Sequence, residues 1–203
     1  MKIFCIGRNY VDHVKELSNN IPDAPVIFMK PDTALLKDGE PFYHPSFSTD
    51  IHHEIELVIR INRVGKKIQQ EFAYKYYNEI GLGIDFTARD IQTIQKQKGL
   101  PWEIAKGFDG SAPIGKFLTL ENIKDVKNIN FSLQKNSEIV QQGHSNLMIY
   151  SFDYIIHYLS QYFTLRVGDL IYTGTPAGVS KVSIGDVLEG FIEGEKMLHC
   201  EVK

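Results

Sequence analysis

The sequence predicts a chain built mainly from short β-strands, and a few stretches carry that prediction. Glu54 to Ile61 alternates strictly, placing Ile55, Leu57, Ile59 and Ile61 on one face of a strand and Glu54, Glu56 and Arg60 on the other. The tail repeats one turn, since Val167-Gly168-Asp169-Leu170-Ile171 and Ile184-Gly185-Asp186-Val187-Leu188 each run apolar-Gly-Asp-apolar into a strand. Ile129 to Lys135 and Glu138 to Gln142 flank Asn136-Ser137 as the arms of a hairpin. Short strands with turns at such intervals form a sandwich, a roll or a barrel.

The other elements follow in chain order. Met1 to Ile6 reads as a first strand, because too few apolar residues precede Gly7-Arg8-Asn9 for a secretory signal. Asn9 to Leu17 reads as a short helix and Ser18 to Pro25 as a polar, proline-punctuated loop, which makes residues 1–25 a candidate lid. Val26 to Met29 is a short strand stopped by Lys30-Pro31-Asp32. Gln70 to Asn78 is expected to be helical, Ile80 to Asp85 a buried strand, and Ala88 to Lys98 a second helix. Thr87 and Asp90 match the start signal of that helix, and Gly99 with Pro101 ends it. Ser151 to Phe163 has helical spacing at Tyr154, Ile155, Tyr158 and Leu159.

Composition bounds the function. A length of 203 residues fits one globular domain over residues 1–203, with a core large enough to need no staples. With 43% apolar and 23% charged residues the chain reads as soluble, and no apolar run nears the roughly 20 residues that cross a bilayer. A net charge of −3, with the basic residues scattered, excludes a nucleic-acid footprint. Cys5 and Cys200 match neither a zinc spacing nor a disulfide framework, so a reducing cytoplasm is expected. Small-molecule chemistry is the class that remains.

Glu54 and Glu56, two apart on one strand, project from the same face and repel unless something neutralises them. A divalent cation would do so, and Asp85, at the end of another buried strand, supplies a third oxygen. Such an all-oxygen set suits Mg²⁺, with Mn²⁺ or Ca²⁺ as alternatives, rather than zinc. The spacing leaves a second reading open, because alternating glutamates also decorate the solvated face of an amphipathic strand. His52 shares that face, either as a ligand or support or simply as an exposed side chain.

Read together, the motifs resemble the fumarylacetoacetate hydrolase family, in its small acylpyruvase and oxaloacetate decarboxylase members. The resemblance rests on Gly7-Arg8-Asn9-Tyr10-Val11-Asp12-His13-Val14-Lys15-Glu16, Phe28-Met29-Lys30-Pro31-Asp32, His52-His53-Glu54-Ile55-Glu56-Leu57 and Asp85-Phe86-Thr87-Ala88-Arg89-Asp90. It extends through Lys98-Gly99-Leu100-Pro101-Trp102, Ala105-Lys106 and Tyr172-Thr173-Gly174-Thr175-Pro176-Ala177-Gly178-Val179, and so spans nearly the whole chain. It implies an α+β, mainly β fold, a mixed roll or sandwich with a few peripheral helices, assembled as a homodimer. It implies Glu54, Glu56 and Asp85 as metal ligands, and His13, Glu16 and Lys106 as catalytic groups. Gly107 and Asp109 depart from the family pattern, which leaves substrate preference there open.

In such a site a 2-oxo acid chelates the cation and a metal-stabilised pyruvate enolate forms. His13 and Glu16, i and i+3 on the short helix, make a base whose imidazole the carboxylate orients, or else a polar exposed face. Lys106, after a fairly apolar stretch, either stabilises enolate charge or lies on the surface. Arg8, Asn9, Tyr10, Gln92 and Thr175 are expected to bind substrate. The leading expectation is an Mg-dependent acylpyruvate hydrolase that cleaves a C–C bond, with oxaloacetate decarboxylation as a further activity. The alternative is an isomerase or tautomerase of an oxo-dicarboxylic acid. A non-catalytic metal-stabilised module would have no use for His13, Glu16 and Lys106 together. A nucleotide-binding fold is excluded because Gly81-Leu82-Gly83 lacks the third glycine of the phosphate fingerprint.

Overall fold

Ile55–Ile61 is the strand around which the molecule is arranged. The computed structural model describes residues 1–16 and 21–203, so the expectations for Leu17, Ser18, Asn19 and Asn20 lie outside the described residues. The first half of the chain holds β1 (Ile3–Gly7), α1 (Val11–Glu16), β2 (Val26–Lys30), β3 (Leu35–Lys37), β4 (Ile51–His53), β5 (Ile55–Ile61), β6 (Tyr77–Ile84), β7 (Thr87–Ala88), α2 (Arg89–Lys98) and α3 (Glu103–Lys106). The second half holds β8 (Ala112–Thr119), β9 (Asn130–Lys135), β10 (Glu138–His144), α4 (Phe152–Tyr162), β11 (Leu170–Tyr172), β12 (Ser180–Lys181), β13 (Val187–Ile192) and β14 (Glu195–Glu201).

A 7-stranded sheet runs β2-β1-β11-β5-β6-β8-β3, a 4-stranded sheet runs β10-β9-β13-β14, and a 3-stranded one runs β12-β4-β7. The large sheet is mixed. β1 pairs in parallel with β11 through Ile3↔Leu170, and β3 in parallel with β8, while β5 is antiparallel to both its neighbours. This is the mainly β, α+β architecture that the sequence predicts.

β5 is buried on both faces, contrary to a strand with one solvated face. Ile55, Leu57 and Ile59 join Leu82, Leu133, Leu188 and Leu198 in a core between the two larger sheets. Val58 faces the other way, with Cys5, Leu170 and Tyr172. Burying each such aliphatic side chain contributes about 1.5–3 kcal/mol, so a central strand of this composition anchors the sheet. Close packing shows at Gly190 of β13, where a Cβ would stand 3.1 Å from Leu82 and 3.4 Å from Ile55.

Local chemistry explains the agreements and the exceptions. Asn136 and Ser137 take φ 55° and 69°, the left-handed pair that a two-residue hairpin turn requires. Ser151 caps α4 by accepting the Tyr154 N–H at 3.3 Å. Gly99 ends α2 at φ 65°. The capping box expected from Thr87 and Asp90 does not form, and Ala88 is the N-cap. Asp90 instead accepts from Ser48 Oγ at 2.7 Å and Thr49 N at 3.1 Å, tying α2 to the preceding loop. Gln70–Tyr76 is a 3₁₀ stretch rather than an α-helix, and the chain turns into β6 at Tyr77. Among the described residues no helix is long and apolar enough to cross a membrane.

Candidate active site

The register of β5 against β6 assembles the carboxylates. Ile55 pairs with Ile84 and Glu56 with Gly83, so the next position outward sets Glu54 opposite Asp85. The Asp85 N–H donates to the Glu54 carbonyl at 2.8 Å and fixes that juncture. Residues opposite each other on antiparallel strands share a face, and 54 and 56 share one by alternation. Ligand oxygens of Glu54, Glu56 and Asp85 thus lie within 4.8 Å of one another, all buried. Gly83 is required opposite Glu56, since a Cβ there would stand 2.4 Å from the Tyr172 ring.

Three cationic side chains surround the carboxylates. Lys106 Nζ lies 2.6 Å from Asp85 Oδ2 and 2.8 Å from Glu54 Oε2, and also donates to Thr87 Oγ1. Arg89 pairs with Glu54 Oε1 and donates to Gln92 Oε1 at 2.7 Å. Lys30 Nζ, 2.8 Å from Asp85 Oδ1, also donates to the carbonyls of Phe86 at 3.2 Å and Ser111 at 2.9 Å. Burial opposes charge on Glu54, but Lys106 and Arg89 outweigh it and hold the carboxyl well below its ordinary range. Burial also opposes charge on Lys106, and Asp85 and Glu54 reverse that effect, so the ammonium stays charged.

Glu56 is the exception. Burial and the Asp85 charge push it well above the ordinary range, and the Gly174 N–H, 2.7 Å from Glu56 Oε2, only partly opposes them. Asp85 Oδ1, despite the nearby Lys30 ammonium, receives no directed hydrogen bond and is buried. An oxygen-only set in which Asp85 Oδ1 accepts no hydrogen bond and burial disfavours the Glu56 charge fits a hard divalent cation.

A narrow cavity of about 30 Å³ opens over this cluster, and Arg8, His13, Gln92, Lys106 and Thr175 line it with the three carboxylates. His13 is buried, with Nδ1 3.3 Å from Glu16 Oε2, and Glu16 Oε1 in turn accepts the Gly178 N–H at 3.0 Å. Burial lowers the His13 pKa from its ordinary value, against the opposing pull of Glu54 and Glu16. Asn9 and Tyr10 lie behind the cavity wall rather than in it. Asn9 is fully buried and clamps backbone, donating to the carbonyls of Tyr150 at 3.0 Å and Thr173 at 2.7 Å. Tyr10 packs its ring against Phe131 at 6.3 Å. His52 pairs with Asp50 at 3.1 Å and stands outside the carboxylate cluster.

The fumarylacetoacetate (FAA) hydrolase C-terminal family matches the chain over residues 2–203. The chain belongs to the fumarylacetoacetate hydrolase family. Mitochondrial oxaloacetate tautomerase FAHD1 of Mus musculus is 41% identical over 201 residues, covering 99% of this chain and 91% of the relative. Mitochondrial oxaloacetate decarboxylase of Dictyostelium discoideum is 43% identical over 194 residues, covering 95% and 89%. Fumarylpyruvate hydrolase of Pseudomonas aeruginosa, solved with Mn²⁺ and pyruvate, superposes with a TM-score of 0.93 at 36% identity, over 100% of this chain and 89% of that one. The fumarylacetoacetate hydrolase relatives named here are thus enzymes of small oxo acids, and this chain is an enzyme of that family.

Some residues at this site escaped the sequence reading. Lys30 and Arg89 lie inside motifs quoted for the family, but nothing in their spacing says that they turn towards carboxylates. Gln141 sits at a bulge in β10 and is buried, which strand alternation cannot foresee.

Proposed function

We propose that the protein is a divalent-metal-dependent enzyme that moves a proton on the carbon beside the keto group of a 2-oxo acid, with oxaloacetate keto–enol tautomerisation as its main reaction. The observation that carries this reading is a buried imidazole facing the same cavity as the carboxylate cluster. Glu54, Glu56 and Asp85 would hold the cation, which would supply Lewis-acid chemistry at the keto oxygen. His13 directs Nδ1–H to Glu16, leaving Nε2 as the base. The depressed pKa keeps the ring neutral at pH 7, so Nε2 is ready to take a proton from C3 and return one. Lys106 and Arg89 offset negative charge as it develops on the substrate oxygens. Arg8, Gln92 and Thr175 orient the acid, and Asn9 and Tyr10 support the wall behind them. Oxaloacetate is the substrate named for relatives with 41–43% identity over nearly the whole chain.

A second reading, hydrolysis of acylpyruvates to pyruvate and a carboxylate, draws on the same His13–Glu16 pair, which would activate water, and on the P. aeruginosa hydrolase. We extend the proposal to a homodimer of one-domain chains; of the 1–25 segment expected as a lid, β1 is an interior strand of the 7-stranded sheet with Ile3, Phe4 and Cys5 fully buried, so it belongs to the core instead. A reducing compartment, the cytoplasm, suits the buried free thiols Cys5 and Cys200.

The test starts from protein stripped with EDTA. Enol-to-keto conversion of oxaloacetate is followed by absorbance, and pyruvate release is followed from oxaloacetate and from acetylpyruvate. Each is measured before and after Mg²⁺ or Mn²⁺, with the metal's own catalysis subtracted. Metal-restored tautomerisation with little pyruvate supports the main reading. Metal-restored pyruvate from acetylpyruvate moves hydrolysis to the front, and no metal-dependent turnover of any of them refutes both.

A further inference from the structure

Thr175 reaches the cavity from a tail loop in which each neighbour has a separate task. Thr173 O accepts from Asn9, Gly174 N donates to Glu56, and Pro176 O accepts from Gln141 Nε2 at 3.0 Å. Gln141 lies on the other side of that loop, in β10. Val140 is skipped in the ladder with β9, and this bulge turns Gln141 inward while Ile139 stays exposed.

The orientation of the Gln141 amide follows from partners that cannot change role. Ile55 N–H is an obligate donor, 3.0 Å from Oε1, and Pro176 O an obligate acceptor, so Oε1 and Nε2 are fixed without ambiguity. Oε1 also meets His53 Nδ1 at 2.8 Å, which must therefore carry the hydrogen. His53 Nε2 then accepts from Ser180 Oγ at 2.7 Å. The remaining Nε2 hydrogen of Gln141 goes to Thr175 Oγ1 at 2.9 Å. A hydroxyl that accepts at this point still has one hydrogen to give, and among the described residues Thr175 Oγ1 donates to no protein acceptor. Thr175 is buried and lines the cavity, which leaves the cavity as the place where an acceptor for that hydrogen can stand.

We propose that Gln141 is a positioning residue, whose amide fixes the Thr175 hydroxyl as a hydrogen-bond donor aimed at the carboxylate of a bound 2-oxo acid, and couples that donor to the strand bearing Glu54 and Glu56. The inference rests on the proposed 2-oxo-acid reading of the cavity. Without the amide, Thr175 Oγ1 loses the donor that fixes its rotor, and the hydroxyl no longer presents its hydrogen to the ligand.

A double-mutant cycle tests this by calorimetry of oxalate, a dicarboxylate mimic of an enolised 2-oxo acid, binding to the Mn²⁺-loaded protein. Gln141→Met and Thr175→Val are each expected to weaken oxalate about tenfold, the usual loss for one hydrogen bond to a charged group. The pair together is expected to weaken it no more than about twofold beyond Thr175→Val, with Mn²⁺ affinity unchanged. Multiplicative losses overturn the relay, as does a Gln141→Met protein that has lost Mn²⁺ affinity, which would mark a collapsed loop. If Thr175→Val binds oxalate normally, Thr175 is not the anchor and the relay falls with it. A wild-type protein that takes up Mn²⁺ but no oxalate refutes the reading of the cavity itself. Should Gln141→Met fail to fold, the cycle is run with Gln141→Asn, whose shorter side chain cannot span from Ile55 N to Thr175 Oγ1.

Discussion

His13 and Glu16 form a relay between the cavity and the tail, because the carboxylate that meets His13 Nδ1 at 3.3 Å also accepts the Gly178 N–H at 3.0 Å. The imidazole is therefore held from two distant parts of the chain. His13→Ala is expected to lower kcat for oxaloacetate tautomerisation by about 10²–10⁴-fold with little change in KM, the usual contribution of a placed base. Decarboxylation, in which carbon dioxide departs without a base or a water nucleophile, should retain most of its rate. Steady-state kinetics on both reactions with one preparation decides it; equal losses would remove His13 from the proton-transfer role.

The pH profile follows from the sign of the His13 shift. Burial lowers its pKa, and Glu54 and Glu16 only partly restore it, so the neutral base persists below the ordinary histidine value of about 6.5. kcat/KM should rise with pH through a midpoint below that value and then level off. Glu16→Gln removes a raising influence, and the acid limb should move to still lower pH. A midpoint at or above that value in the wild type, or an upward shift in the variant, would contradict the assignment.

The alternation from Glu54 to Ile61 made β5 legible, because side chains on a strand alternate whatever surrounds it. What alternation cannot tell is whether the polar face meets water. Here it meets Tyr172, Cys5 and Lys30, contributed by strands far away in sequence, so local spacing left Glu54 and Glu56 open between a solvated face and a metal centre. Its place at the end of a buried strand offered Asp85 as a third oxygen and the family resemblance implied it as a ligand, whereas the structure supplies the physical reason in the Ile55↔Ile84 register. Gly99 announced the end of α2 because its left-handed conformation is a local matter. The Thr87–Asp90 start signal failed because Ser48 and Thr49 compete for the Asp90 carboxylate, and that contact spans some forty residues. Gln141 left no trace in the pattern, since a bulge reverses the alternation without marking the sequence.

Cation loading should be visible without any turnover. Glu56 is buried beside Asp85 and held above its ordinary pKa, so its ionisation works against the fold until a cation arrives. A raised carboxyl pKa means stability is present at low pH and lost as pH rises through the folded value. Mn²⁺ should therefore raise the wild-type Tm at pH 7, and at a hundred times Kd the gain is about 2.7 kcal/mol. Glu56→Gln should lose that response while its metal-free Tm equals or exceeds the wild-type value. Differential scanning calorimetry with EDTA and with Mn²⁺ checks both halves; an undiminished Mn²⁺ shift in the variant would exclude Glu56 as a ligand.

Lys30 is the cation whose loss should cost most in stability. It is fully buried, pairs with Asp85 and satisfies the carbonyls of Phe86 and Ser111. Lys30→Met keeps much of the volume but leaves buried Asp85 with one of its two ammonium partners, Lys106, and these carbonyls without their donor, and breaking a buried pair typically costs about 3–5 kcal/mol. Lys196 offers the contrast, since its 3.0 Å pair with Glu189 lies at the surface, where such pairs contribute about 0–1 kcal/mol. Urea unfolding of Lys30→Met and Lys196→Ala under EDTA should separate the two by several kcal/mol. Mn²⁺ should then return part of the stability to Lys30→Met, because a cation on Asp85 replaces some of the missing charge; equal, small losses in both variants would show that Asp85 does not depend on Lys30.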